Sequence, residues 1–141
     1  MNAPDFLDTN VLVYAYNATD PRKQARAQEL VRRALSGEIV LSTQVLGEFA
    51  ATFLHKISPP ARPQVVAAIL DALEPIRTIA PDREVVNRAV AAHAKYGLHF
   101  YDGMIVACAE RAGSKRIWSE DLSDGHTYFG IKVENPFIKV A

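Results

Sequence analysis

Asp8, Glu48, Asp102 and Asp121 are carboxylates set among apolar neighbours, each just past a short apolar run or near a helix start. Asp8 follows Phe6-Leu7. Glu48 stands between Val45-Leu46-Gly47 and Phe49-Ala50-Ala51. Asp102 precedes Gly103-Met104-Ile105-Val106-Ala107, and Asp121 follows Ile117-Trp118-Ser119-Glu120. A charge on an apolar face is costly to desolvate unless something compensates it. One divalent cation compensates several carboxylates at once, and an all-oxygen donor set favours Mg2+ or Mn2+ over zinc. Mg2+ keeps waters and takes few carboxylates, which leaves room for a substrate phosphate. A water activated by such a cation is a nucleophile, and the cation also offsets charge developing on phosphorus. Taken singly, each residue reads first as a helix cap or a solvated charge, because Asp is common at helix starts. The weight lies in the four together.

These residues need elements to position them. Phe6-Leu7 reads as a short buried strand that Asp8 closes, with Asp8 or Thr9 capping a helix over roughly 11–16. Asp20-Pro21 is a second helix start, with Asp at the cap and Pro at the first helical position, and Gly37 stops that helix after Ser36. Ile39-Val40-Leu41-Ser42 is a buried strand, and Ser42 or Thr43 caps a helix from about Val45 to Ile57. Ser58-Pro59-Pro60 breaks the chain. A helix follows from Ala61 to Leu73 with Val65, Ile69 and Leu73 along one stripe, then a weak strand at Ile76–Ile79. Asp82 caps a helix to Tyr96 with Val86, Ala89, Val90 and His93 facing inward, and Phe100 to Ala112 is an apolar helix ended by Gly113. Arg116–Ser119 and Ile131–Val133 are the last strands, separated by the acidic turn Glu120–Gly125. Alternating strands and helices predict an α/β fold with a small, mostly parallel sheet of about five strands. In such sheets ligands bind beyond the carboxyl ends of the strands, where Asp8 falls.

Composition narrows the classes. The 141 residues suit one domain over 1–141, and 49% apolar with 23% charged residues excludes a disordered chain. Lys+Arg and Asp+Glu are both 16, so no global charge draws the chain to nucleic acid. The single Cys108 forms no internal disulfide, no stretch reaches the length of a membrane span, and Met1-Asn2-Ala3-Pro4-Asp5 has no leader pattern. Together these predict a cytoplasmic protein without a membrane partner.

Four blocks in order carry a resemblance: Leu7-Asp8-Thr9-Asn10-Val11-Leu12, Ser42-Thr43-Gln44-Val45-Leu46-Gly47-Glu48-Phe49, Tyr101-Asp102-Gly103-Met104-Ile105-Val106-Ala107, and Ser119-Glu120-Asp121-Leu122. The chain resembles the PIN domain family, and within it the VapC-like toxin ribonucleases of bacterial toxin–antitoxin pairs. The ending Gly130-Ile131-Lys132-Val133-Glu134-Asn135-Pro136-Phe137 is similar to one subgroup's tail. The resemblance implies a three-layer α/β/α sandwich, a Mg2+- or Mn2+-dependent endoribonuclease acting on RNA, a homodimer, and a small antitoxin partner. By that resemblance Asp8, Glu48 and Asp102 match the three acidic positions of the family and Asp121 its more variable fourth, which Asp124 could replace or assist. Thr9, Asn10 and Ser119 match polar positions that orient carboxylates or contact substrate. Pro4-Asp5 shortens the apolar run many members carry before the first motif.

Other features weigh less. Arg22, Lys23 and Arg26 on one helix, and Lys115-Arg116 near the last acidic turn, read evenly as phosphate contacts or solvated faces. The four histidines lack metal-ligand spacing. His93 reads as a core or interface residue, and His99 as a helix start or a substrate contact. An aspartyl-phosphate enzyme would carry a second Asp two residues after the first, where this chain has Asn10. Neither G-x-G-x-x-G nor G-x-x-x-x-G-K-[ST] occurs. The remaining alternative is a catalytically silent PIN-like module that binds RNA or protein.

Overall fold

Phe6-Leu7, Ile39-Val40-Leu41 and Ile117-Trp118 are buried at every position, the signature of strands covered on both faces. In the computed structural model, which describes residues 3–138, they form the middle of a six-stranded sheet. The elements in order are β1 (Asp5–Leu7), α1 (Thr9–Ala15), α2 (Pro21–Leu35), β2 (Ile39–Ser42), α3 (Thr43–Ala51) with a π-helical continuation (Thr52–Lys56), α4 (Pro63–Ala72) and β3 (Thr78–Ile79). There follow α5 (Arg83–Tyr96), α6 (Phe100–Arg111), β4 (Arg116–Trp118), β5 (Thr127–Tyr128) and β6 (Ile131–Glu134). The strand order is β3-β2-β1-β4-β6-β5, parallel throughout except for β5 against β6. Helices α1 and α2 pack on each other and α5 on α6, giving the α/β/α layering. Met1-Asn2, the start of the segment read above for a leader, lies outside the described residues.

Capping sets the helix starts where the sequence places them. Asp8 accepts from the Thr9 amide, Asp20 from those of Arg22 and Lys23, and Asp82 from that of Val85. Ser42, rather than Thr43, caps α3 through the Val45 amide.

The small, mostly parallel sheet is as expected, with one strand beyond the five read from the sequence, and the inward faces of α5 and α4 are the two expectations that need correction. The sheet has six strands, because Phe129-Gly130 forms a two-residue turn that folds β5 back onto β6. Phe129 takes a left-handed φ of 49° that a bulky side chain rarely adopts. The Arg88 guanidinium lies 3.5 Å from its ring centroid, and its amide donates to the Tyr96 hydroxyl at 2.9 Å. Those contacts hold a turn for which the sequence carries no Asn-Gly signal. On α5 the inward stripe is Val85, Ala89 and Ala92, whereas Val86, Val90 and His93 are exposed. The reason is the closeness of α6: a Cβ built on Gly103 would stand 2.8 Å from the Ala89 carbonyl oxygen, so small residues face inward. His93 instead caps the helix end through Leu98 O at 2.7 Å. On α4, Val66 and Leu73 are buried while Val65 is exposed.

Candidate active site

The strand order reverses direction at β1. The chain steps outward from β1 to β2 and β3, then returns through α5 and α6 to lay β4 on the other side of β1. The crevice beyond the carboxyl ends of such a pair is where open α/β sheets bind ligands. Asp8 closes β1 and Ser119 closes β4, and the Asp8 amide donates to Trp118 O at 3.0 Å.

Asp8 is buried and both its oxygens are held. The Thr9 amide donates to Oδ1 at 2.7 Å, and the Ser119 hydroxyl donates to Oδ2 at 2.7 Å. Ser119 Oγ in turn accepts from the Leu122 amide at 3.1 Å, which fixes the turn carrying Asp121. On the other side, Thr9 Oγ1 donates to Glu48 Oε1 at 3.4 Å. Gln44 Nε2 bridges Glu48 Oε1 at 3.0 Å and the Tyr101 carbonyl at 3.1 Å, one residue before Asp102. A chain of hydrogen bonds thus runs from the α6 start through Gln44, Glu48 and Thr9 to the cap that Asp8 forms, and on through Ser119 to the last turn.

Burial pushes the Asp8 carboxyl up to about 6. The Ser119 and Thr9 hydrogen bonds oppose this, and the charges of Asp102 and Asp121 push it further up. Asp102 is held above the usual carboxylate range by its own burial, with His99 opposing and Asp121 adding. Asp8, Asp102 and Asp121 are therefore near enough to repel one another. Glu48 is exposed, so the expectation that it carries a desolvation cost fails, although its position beside Thr9 stands. Replacing Ser119 with Ala removes a hydrogen bond that favours the ionised form. The metal-free Asp8 carboxyl is then expected to titrate above about 6, readable by carboxyl 13C NMR; an unchanged or lower midpoint would contradict this role for Ser119.

Among the described residues, no group of three or more His, Cys, Asp or Glu side chains is gathered closely enough to hold a metal ion. The donor chemistry nonetheless fits a hard cation. No ion pair reaches Asp8, Glu48, Asp102 or Asp121 among the described residues, whereas Asp5, Asp82, Glu110, Glu120 and Glu134 are all paired with Arg or Lys. Among the described residues the crevice carboxylates share the lack of an ion pair with Asp20, Asp71, Glu74 and Asp124, but of these eight Asp8 alone is buried.

The remaining candidates divide. Asn10 Oδ1 accepts from the Glu120 amide at 3.1 Å, so it ties α1 to the Asp121 turn. Asp124 is turned away, its Oδ1 accepting from the Asn135 amide at 2.7 Å. His99 caps α6 through the Tyr101 amide. Arg116 starts β4, at the opposite end of the sheet from Ser119. It pairs with Asp5 and Glu134 there, so it is not near the acidic turn. Lys23 is bound to Glu120, whose other oxygen accepts from the Tyr14 hydroxyl at 2.8 Å. Arg26 pairs with Glu29 at 3.0 Å. Cys108 is buried, with its thiol pushed up to about 11 by burial, and offers no nucleophile. Gln44 escaped the sequence reading. Its i, i+4 spacing to Glu48 was the available signal.

Known proteins agree with this architecture. The structure superposes on a toxin–antitoxin complex from Klebsiella pneumoniae with a TM-score of 0.68 at 19% identity, covering 94% of this chain and 98% of that one. It superposes on VapC20 from Mycobacterium tuberculosis, described as a Sarcin-Ricin loop cleaving toxin, with a TM-score of 0.62 at 20% identity and coverage of 83% and 91%. For VapBC2 from Rickettsia felis, bound to a DNA fragment from its promoter, the TM-score is 0.65 at 17% identity and coverage is 93% and 97%. At these identities the likeness is one of fold. No curated protein sequence matches the chain. The PIN domain profile matches residues 6–123, which takes in β1, the acidic crevice and the turn after β4, and the chain belongs to the PIN domain family.

Proposed function

We propose that the chain is a metal-dependent endoribonuclease that hydrolyses RNA phosphodiester bonds, and that it is the toxin of a toxin–antitoxin pair. The observation that supports this is one run of hydrogen bonds at the switch point that holds the Asp8 and Glu48 carboxylates and passes the backbone beside Asp102 and Asp121. Asp8, Glu48 and Asp102, with Asp121, would hold Mg2+ or Mn2+. When bound, the cation supplies Lewis acidity toward a phosphate and its attacking water. The chain's own part is positional. Ser119 and the Thr9 amide lock the Asp8 carboxylate in one orientation, and near pH 7.5 it is mostly ionised and ready for a cation. Gln44 holds Glu48 against the start of α6. Asn10 keeps the Asp121 turn seated on α1.

The partners follow from the same reading. VapC20 is described as cleaving the Sarcin-Ricin loop, and the Klebsiella protein is part of a toxin–antitoxin complex, which supports RNA as substrate and a cognate antitoxin as partner. The exposed Val86 and Val90 on α5 supply apolar surface for a homodimer. No helix of the described residues is long and apolar enough to cross a membrane, in line with a cytoplasmic location.

The spacing of the carboxylates favours one rival, a catalytically silent module that binds RNA or protein, because no three are gathered to hold a metal. Cleavage of a structured RNA panel with Mn2+, Mg2+ or EDTA separates the two. We expect cleavage only with metal, and an Asp102→Asn loss exceeding the roughly 10–100-fold typical of outer-shell changes. Absence of cleavage, together with thermal stability indifferent to Mn2+, would establish the silent module instead.

A further inference from the structure

A groove of about 420 Å3 leads away from the acidic crevice. One wall is the face of α1 bearing Thr9, Asn10, Val13 and Tyr14, continuing to Asn17. The other bears Glu48, Thr52, Lys56 and Ile57, and Glu120-Asp121 close one end. The groove therefore begins at the proposed chemistry and ends at a single cation.

Lys56 reaches this wall because of the π-helix. In an α-helix, residues four apart drift by about 40° around the axis, so Glu48, Thr52 and Lys56 would fan out. The wider π turn, closed by the Ile57 amide on Thr52 O at 3.1 Å, takes up that drift. Thr52 Oγ1 donates back to Glu48 O at 2.8 Å. Lys56 makes no ion pair among the described residues. Two other clefts are lined by paired cations, Arg88 with Arg111 in one and Arg33 with Arg116 in the other, each held by carboxylates of the chain.

The opposite wall offers donors. Asn10 spends its amide oxygen on the Glu120 amide, and its buried Nδ2 has no partner among the described residues. Asn17 spends its oxygen on the Thr19 amide at 3.0 Å, leaving its NH2 to donate. At the end away from Glu48, Glu120 and Asp121 a ligand meets the Asn17 NH2 and the Lys56 ammonium, with the unspent Asn10 Nδ2 just beneath the surface, so that end suits an acceptor-rich group that carries negative charge.

We propose that this groove seats the nucleotide next to the scissile phosphate, with Lys56 taking that nucleotide's own phosphate and Asn17 taking an acceptor of its ribose or base. The assignment rests on the ribonuclease reading above. It makes Lys56 a substrate-binding residue remote from the reacting atoms.

The test uses the full chain carrying Asp102→Asn, in Mg2+, with a fluorescein-labelled single-stranded RNA 12-mer of mixed sequence. Adding Lys56→Ala is expected to weaken binding about tenfold. It should also flatten the slope of log K against log salt by about 0.7, the share of one neutralised phosphate on a single strand. Lys56→Arg should restore both. Arg22→Ala, an exposed cation on α2 outside the groove, should change neither. Unchanged affinity and slope in Lys56→Ala, or equal losses in Arg22→Ala, would overturn the assignment. The two readings fail separately. Metal-dependent cleavage with Lys56-independent binding removes the groove and keeps the nuclease. Lys56-dependent binding in a chain that cleaves no RNA supports the groove and removes the nuclease.

Discussion

Asp8→Asn is expected to lower RNA cleavage by about a thousandfold or more and, in metal-free buffer at pH 8, to raise the melting temperature by several degrees. On the proposed reading, the loss of activity follows from removing the buried carboxylate that closes β1. The gain in stability follows from the titration of the same group. In the folded chain the Asp8 carboxyl lies at about 6, against an ordinary value of 3.8. A raised carboxyl means that the folded state binds the proton more tightly than the unfolded one. The penalty on the folded state is therefore full above about pH 6, shrinks as pH falls toward 3.8, and is gone below that. Its full size is about 3 kcal/mol at most. Asn recovers less than that, because Ser119 loses the carboxylate to which it donates. The difference in melting temperature between Asp8→Asn and wild type should therefore be large at pH 8 and near zero at pH 3.5. Saturating Mn2+ should narrow or reverse the gap at pH 8, since a ligand that binds only the folded wild type stabilises it by mass action. Scanning calorimetry at the two pH values checks this, and a less stable Asn variant at pH 8 in EDTA would refute the account.

Gly103→Ala should do the opposite: destabilise the chain by about 2–3 kcal/mol and disable the site together. The added Cβ would stand 2.8 Å from Ala89 O and 3.3 Å from Ala89 Cα, both main-chain atoms of α5. No rotamer change relieves a backbone contact, so α6 must move away from α5. Asp102 is the preceding residue and moves with it. A second change at the same contact, Ala89→Gly, leaves the opposing oxygen in place and should not rescue. Gly47 on α3 has nothing within 4 Å of an added Cβ, and Gly47→Ala should be neutral or stabilising by about 0.5–1 kcal/mol. Urea denaturation of the three variants reads these differences, and a Gly103→Ala chain as stable as wild type would show that the helices are free to part.

Much of the architecture was legible because its signals are local. Asp20-Pro21, Asp82 and Ser42 start their helices by capping, and Gly97 and Gly113 end theirs with left-handed backbone. The four acidic blocks could be read in order, but which carboxylates turn toward the crevice depends on distant partners. Glu120 and Asp121 are adjacent, yet Lys23 and Tyr14 engage Glu120 while the charge of Asp121 acts on Asp8 and Asp102. Asp124 looked interchangeable with Asp121 until the Asn135 amide claimed it. The inward face of α5 was misread because Val outranks Ala in hydrophobicity, and only the approach of Gly103 makes small residues the better fit. The Phe129 turn has no local signal, since Arg88 and Tyr96 on a distant helix hold it.

The placing of β1 between β2 and β4 also orders events during synthesis. Asp8 emerges from the ribosome almost first, but the hydroxyl that locks it belongs to Ser119, 111 positions later, and Asp5 waits equally long for Arg116. At about 5–20 residues per second, the nascent chain carries an unfinished crevice for roughly 5–20 seconds. Any product released early, before codon 119, has the first acidic motif and no lock for it. The hydrogen bonding of the first acidic motif is thus deferred until β4 and Ser119 have been made, because the sheet lays β4 beside β1.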